Sequence, residues 1–167
     1  MSSARPSLLG SDERQIDRIG HEVGIEQQPL LLALTIALDR ASARATTGLE
    51  QAATTSGARF LFCLDGEGRS DDALVAGDGS KVRLAEAVAG ADAVVLVATA
   101  GERAEAARWI GPECAARRIM TTGVILGSPG GEVDSSVALK NLRRYAAMLV
   151  ITTDVEYLAD MLRALRA

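Results

Sequence analysis

The stretch 92-DAVVLVATAG-101 decides the fold. Six consecutive apolar or small residues lie between Asp92 and a Thr-Ala-Gly exit. A run this apolar has no wet face, so it reads as a strand buried on both sides. Three further runs have the same character: 59-RFLFCLD-65, 119-IMTTGVILG-127 and 148-MLVITTD-154. Helix-like segments separate them. Strands alternating with helices imply a parallel sheet with right-handed crossovers, and they place ligand loops at the carboxyl ends of the strands.

The intervening segments are read from their apolar spacing and their stop signals. Residues 81–91, 102–118, 135–147 and 155–167 are expected as helices. Ser80 is a candidate cap for the first of them, and Gly111-Pro112 is expected to break the second. The stretch 65-DGEGRSDDALVAGDGS-80 is rich in Gly, Asp and Ser and reads as a surface loop.

Upstream, residues 1–10 read as a disordered leader. Ser11 and Asp12 suit the start of a short helix over 12–24, whose Ile16, Ile19 and Val23 share one face. Pro29 opens a longer segment, 29-PLLLALTIALDRASARATTGLEQAATTSG-57. Leu30, Leu34, Leu38, Ala41, Ala45, Leu49 and Ala52 form a stripe at helical spacing. One continuous helix over 29–56 is therefore expected. It is longer than a small sheet needs for cover, which makes it a candidate for joining copies into a homo-oligomer. The expected organisation is a leader (1–10), a helical arm (11–57) and an α/β domain (58–167). The fold class is α/β: a three-layer, Rossmann-like parallel sheet of four to five strands with an N-terminal helical arm.

Composition excludes several function classes. Of 167 residues only 3% are aromatic, so stacking platforms for single-stranded nucleic acid are scarce. A net charge of −4 argues against binding a phosphate backbone. The apolar run 30-LLLALTIAL-38 is too short to span a membrane. No secretory leader is visible, and a cytoplasmic location is expected. Cys63 and Cys114 are the only cysteines and read as buried reduced thiols. With His21 the single histidine, no zinc set and no Ser/His/Asp constellation is assembled.

Two strand-end loops are candidate ligand sites. The loop 127-GSPGGEVDSS-136 combines turn-forming glycines with Ser135 or Asp134 as a helix cap, an arrangement that can receive an anion. It has neither the GxGxxG spacing nor a P-loop lysine. The loop 65-DGEGRS-70 offers Asp65 and Arg69, but no helix follows its glycines directly. The acidic residues Asp65, Glu67, Asp71, Asp72 and Asp78 do not match a calcium loop and read as solvated, as does the basic run Lys140, Arg143, Arg144. The parallel sheet gathers Asp65, Thr99, Gly101, Ser128, Gly130, Gly131, Ser135 and Asp154 along one edge as candidate ligand-binding residues. None is assigned a catalytic role, no metal site is expected and no cofactor is named.

From about Ala87 the chain resembles the tubulin/FtsZ superfamily of self-assembling GTPases. The resemblance rests on 87-AVAGADAVVLVATAG-101, 121-TTGVILGSPGGE-132 and 139-LKNLRRYAAMLVITTD-154, followed by a short helix to about residue 165. Where that family carries its Gly/Thr-rich phosphate loop, this chain reads 101-GERAEAARWIGPE-113, so none of the family's functional residues carries over. Two functional expectations follow. The first is a non-enzymatic oligomeric subunit acting in assembly or docking to a protein partner. The alternative is a small-ligand or nucleotide-binding domain, an enzyme or an accessory subunit of one, with its site at the carboxyl edge of the sheet.

Overall fold

The computed structural model describes residues 33–54, 59–63, 74–127 and 137–164. The chain divides into Met1–Leu30 and Leu31–Ala167, and every described residue belongs to the second unit. The leader, the helix expected over 12–24, and His21 lie outside the described residues.

In chain order the elements are β1 (Ala33–Ala37), α1 (Arg40–Thr54), β2 (Arg59–Cys63), β3 (Leu74–Ala76), β4 (Lys81–Val82), α2 (Leu84–Val88), β5 (Ala93–Thr99), α3 (Ala107–Ala116), β6 (Met120–Leu126), α4 (Val137–Arg143), β7 (Met148–Thr152) and α5 (Val155–Ala164). The four apolar runs are β2, β5, β6 and β7. The sheet has seven strands in the order β4-β3-β2-β1-β5-β6-β7. Those from β2 to β7 in that order are parallel, and β3 and β4 add an antiparallel hairpin at one end.

Several expectations are corrected. The continuous helix over 29–56 is a strand followed by a helix. Residues 33–37 form β1, fully buried between β2 and β5. Leu and Ala at helical spacing also satisfy a central strand, which wants apolar residues on both faces. Asp39 then stops the strand and starts α1. Residues 33–54 of the expected arm thus supply a central strand and a covering helix, and the strand number exceeds four to five. The loop expected over 65–80 also holds structure. Val75 pairs with Lys81 across a turn at Asp78-Gly79, where Gly79 has φ +85°. Asp-Gly is the dipeptide such a turn requires. Ser80 does not cap α2. Its backbone N–H and its hydroxyl both donate to Asp78, at 2.9 and 2.6 Å.

Pro112 does not break α3 either, because the helix runs through it to Ala116. Gly111 just before it is buried under Tyr145, where a Cβ would lie 2.3 Å from the ring. Just past the helix Arg118 takes φ 58°, and the Ile119 N–H donates back to the Cys114 carbonyl at 2.9 Å. This is the left-handed stop that closes many helices.

Strand alternation sends the two sets of side chains into separate layers. Leu34, Ile36, Leu61, Val94, Leu96 and Ile125 join one core cluster with α2, α3 and α4. Phe60, Val95, Val97 and Val124 join a smaller one with Leu158 and Leu162 of α5. On that second face α1 and α5 touch each other. Helices therefore cover both faces, as a doubly wound sheet requires. Among the described residues, no helix is long and apolar enough to cross a membrane.

Candidate functional site

A parallel sheet of this order changes its winding direction between β1 and β5. From β1 the chain moves outward to β2. From β5 it moves the opposite way, through β6 to β7. Loops diverge at such a point, and α/β domains place ligands in the crevice this leaves at the carboxyl ends.

Here the carboxyl ends of β1 and β5 carry Asp39, Thr99 and the segment Ala100–Ala104. Asp39 follows β1 and half-buries its carboxylate. Its Oδ1 accepts the Ser42 N–H at 2.7 Å, and the Asp39 N–H donates to Ser42 Oγ at 3.2 Å. This reciprocal pair caps α1. The same carboxylate reaches across to β5. Oδ2 accepts the Thr99 N–H at 2.9 Å, and Oδ1 accepts the Thr99 hydroxyl at 3.1 Å. One side chain thus holds the first turn of α1 and the end of β5 together. Three donors occupy three of the roughly four acceptor positions of a carboxylate, leaving room for one more.

Beyond Thr99 the chain turns, with the Glu102 N–H donating to the Thr99 carbonyl at 3.0 Å. Gly101 is exposed, and nothing lies within 4 Å of where its Cβ would be. Ala104 is buried with φ 51°, a conformation costing about 1–2 kcal/mol for an L-residue. Asn141 of α4 holds this segment by donating to the Arg103 carbonyl at 2.7 Å. A strained backbone fixed by a side chain from another helix is a feature that clusters at functional sites. Exposed Arg40 and Arg103 bring positive charge to the rim, and exposed Glu102 brings negative charge.

The structure brings Thr99 and Gly101 together, as their order in sequence implies. Asp154 stands apart, at the end of β7, two strand spacings or roughly 10 Å from β5. It caps α5 by accepting the Glu156 N–H at 2.8 Å. Asp65, Ser128, Gly130, Gly131 and Ser135 lie outside the described residues. Asp39 is the residue the sequence reading missed. Its signal is the spacing 39-DRAS-42 directly after an apolar run, a cap pair hidden inside an apparent helical stripe.

Cys63, at the end of β2 beside β1, is free and buried. Burial pushes its thiol up to about 12, and the charge of Asp39 pushes in the same direction. Cys114 is also free, and its thiol is raised, again mainly by burial. Neither is an activated nucleophile. Among the described residues no three His, Cys, Asp or Glu side chains gather as a metal set. Lys140, Arg143 and Arg144 are exposed, as expected.

No family model matches the chain, and no curated protein matches it.

Proposed function

We propose that this chain is a small-ligand-binding α/β domain whose site is the β1/β5 crevice at the carboxyl edge of the sheet. The observation that carries this reading is the winding reversal between β1 and β5, with Asp39 bridging both strand ends beside the exposed Gly101. A ligand hydroxyl or amino group would take the remaining acceptor position of Asp39. Gly101 would admit the ligand close to the backbone. The strained turn at Ala104 would hold the loop in one shape before binding. The scarcity of acid/base side chains in the crevice favours binding over chemistry. The first expectation, an assembly subunit, drew on one long apolar helix over 29–56 and on the poverty of acid/base residues, and the first of these supports goes with the helix.

Nucleotides come first as probes, because the segment from Ala87 resembles the tubulin/FtsZ superfamily in its order of elements. The test is amide chemical-shift mapping of the full chain against mono- and dinucleotides, then sugars and small carboxylic acids. The expected result is a saturable shift centred on Asp39 and Thr99–Ala104. Shifts scattered elsewhere, or none with any probe at about 1 mM, a concentration that detects even weak sites, would remove the proposal.

A further inference from the structure

The ends of β1 and β5 are short of donors. An anion held at the carboxyl edge of an α/β sheet is gripped by the backbone N–H groups of the following helix N-terminus. Here most of the local N–H groups are already committed inside the protein. The Asp39 N–H donates to Ser42 Oγ at 3.2 Å, and the Ser42 N–H to Asp39 Oδ1 at 2.7 Å. The Ala43 N–H donates to the Asp39 carbonyl at 2.9 Å. On β5 the Thr99 N–H and hydroxyl both go to the Asp39 carboxylate. The Ala100 N–H goes to the Leu126 carbonyl and the Glu102 N–H to the Thr99 carbonyl, each at 3.0 Å. What remains is an acceptor. Asp39 Oδ2 takes the Thr99 N–H at 2.9 Å and keeps a second lone pair.

The charges point the same way. A first helical turn attracts anions because its N–H groups carry partial positive charge. In α1 the Asp39 carboxylate already fills that role, accepting from the third residue of the helix. A phosphate seeking the remaining first-turn N–H groups, those of Arg40 and Ala41, would come to rest beside a fixed negative charge. Residues 39–42 and 99–105 carry the carboxylates of Asp39, Glu102 and Glu105 against the guanidinium groups of Arg40 and Arg103. Arg103 is itself paired with Glu105, at 3.4 Å.

We infer that the β1/β5 crevice selects against anions, and that Asp39 is the residue that decides it. The inference rests on the reading of this crevice as a ligand site. The position at Asp39 takes a hydrogen-bond donor that carries no negative charge, a hydroxyl or an ammonium. It turns away a phosphate or a carboxylate. The ligand class is therefore a neutral polyol, the sugar of a nucleoside among them, or an amine. A phosphorylated ligand loses affinity wherever its phosphate falls against α1.

The experiment uses the full chain and probes matched in skeleton but not in charge. The pairs are guanosine with guanosine 5′-monophosphate, ribose with ribose 5-phosphate, and putrescine with succinate, and inorganic phosphate is added alone. The amides of Asp39 and Thr99–Ala104 report occupancy. In whichever pair binds, the member without negative charge should bind at least about tenfold tighter, and inorganic phosphate should give no saturable shift there up to about 50 mM. Asp39→Asn and Asp39→Ser each keep a capping side chain for α1 and remove the charge, so either should narrow the ratio at least about fivefold. Equal or tighter binding of the anionic member at these amides overturns the selectivity and leaves the ligand-binding reading standing. A ratio unchanged in a folded Asp39 variant overturns the assignment to Asp39. Silence from every probe removes the ligand-binding reading, and this inference with it.

Discussion

The two faces of the sheet are held by different means. The face under α2, α3 and α4 is lined by large aliphatic side chains, with Leu34, Ile36, Leu61, Leu96, Ile110 and Ile125 all at 2% exposure or less. The face under α1 and α5 carries fewer of them and buries hydroxyls instead. Ser42, Thr46 and Thr35 are fully buried there or beside it. Thr46 donates to the Ser42 carbonyl at 2.8 Å within α1, whereas Thr35 Oγ1 finds no hydrogen-bond partner. One face therefore derives its stability from area removed from water. The other combines a smaller apolar area with polar fasteners, and Asp39 is the chief of these. The lesson is that α1 is positioned by hydrogen bonds at its first turn more than by bulk.

Substitutions on each face would break or sharpen that contrast. The largest effect is expected for Leu96→Ala at the middle of β5, which empties volume in the larger cluster. Chemical denaturation should show a loss of about 3–4 kcal/mol. Asp39→Ala should cost about 2 kcal/mol, since it removes the cap of α1 and strands the Thr99 N–H. Hydrogen exchange should then open α1 and the end of β5 together. If they open separately, Asp39 is a local cap and the fastening role fails. Cys63 gives the pH test. Its folded thiol is raised to about 12, above the unfolded value. Its contribution to stability is therefore intact below about pH 8.5 and declines as pH rises toward 12, reaching a loss of about 2 kcal/mol near pH 10. Cys63→Ala should flatten this part of the stability curve. The smallest change has the opposite sign. Thr35→Val removes an unpartnered buried hydroxyl and should stabilise by about 1 kcal/mol. A loss of stability there would mean that the hydroxyl is bonded in solution.

Legibility in the sequence tracked how many physical readings each stretch allows. The runs at 94–97 and 149–152, rich in β-branched residues, have poor helix propensity, so a strand fits them best. β5 is buried on both faces as its run implies, whereas β7 is an edge strand with no buried residue. An apolar run does not reveal which strand ends the sheet. The stretch Ala33–Ala37 allows two readings. Ala and Leu are strong helix formers, and the stripe continues at helical spacing into α1. Tertiary pairing with β2 and β5 overrode that propensity. The β3–β4 hairpin was hidden because its strands are very short, although 76-AGDGSK-81 carries the Asp-Gly turn in plain view. Of the candidate site, Thr99 and Gly101 were readable from their place after an apolar run. Asp39 was not, because its role depends on a partner 60 residues away. Single-sequence periodicity contains no information about such a pairing.

The placement of β1 also sets the order in which the sheet can assemble. Its partner on β5 is 60 positions distant, Ala33 opposite Ala93. The β5–β6 and β6–β7 pairings span only 27 and 26 positions, from Ala93 to Met120 and from Thr122 to Met148. Each doubling of a closed loop costs roughly 0.6 kcal/mol of chain entropy. The β1–β2 pairing, spanning 25 positions from Leu34 to Arg59, and the C-terminal pairings are therefore the cheaper closures, and the central seam between β1 and β5 closes after them. The crevice that the seam frames comes into being only when the last long loop shuts, so its formation reports on completion of the whole fold.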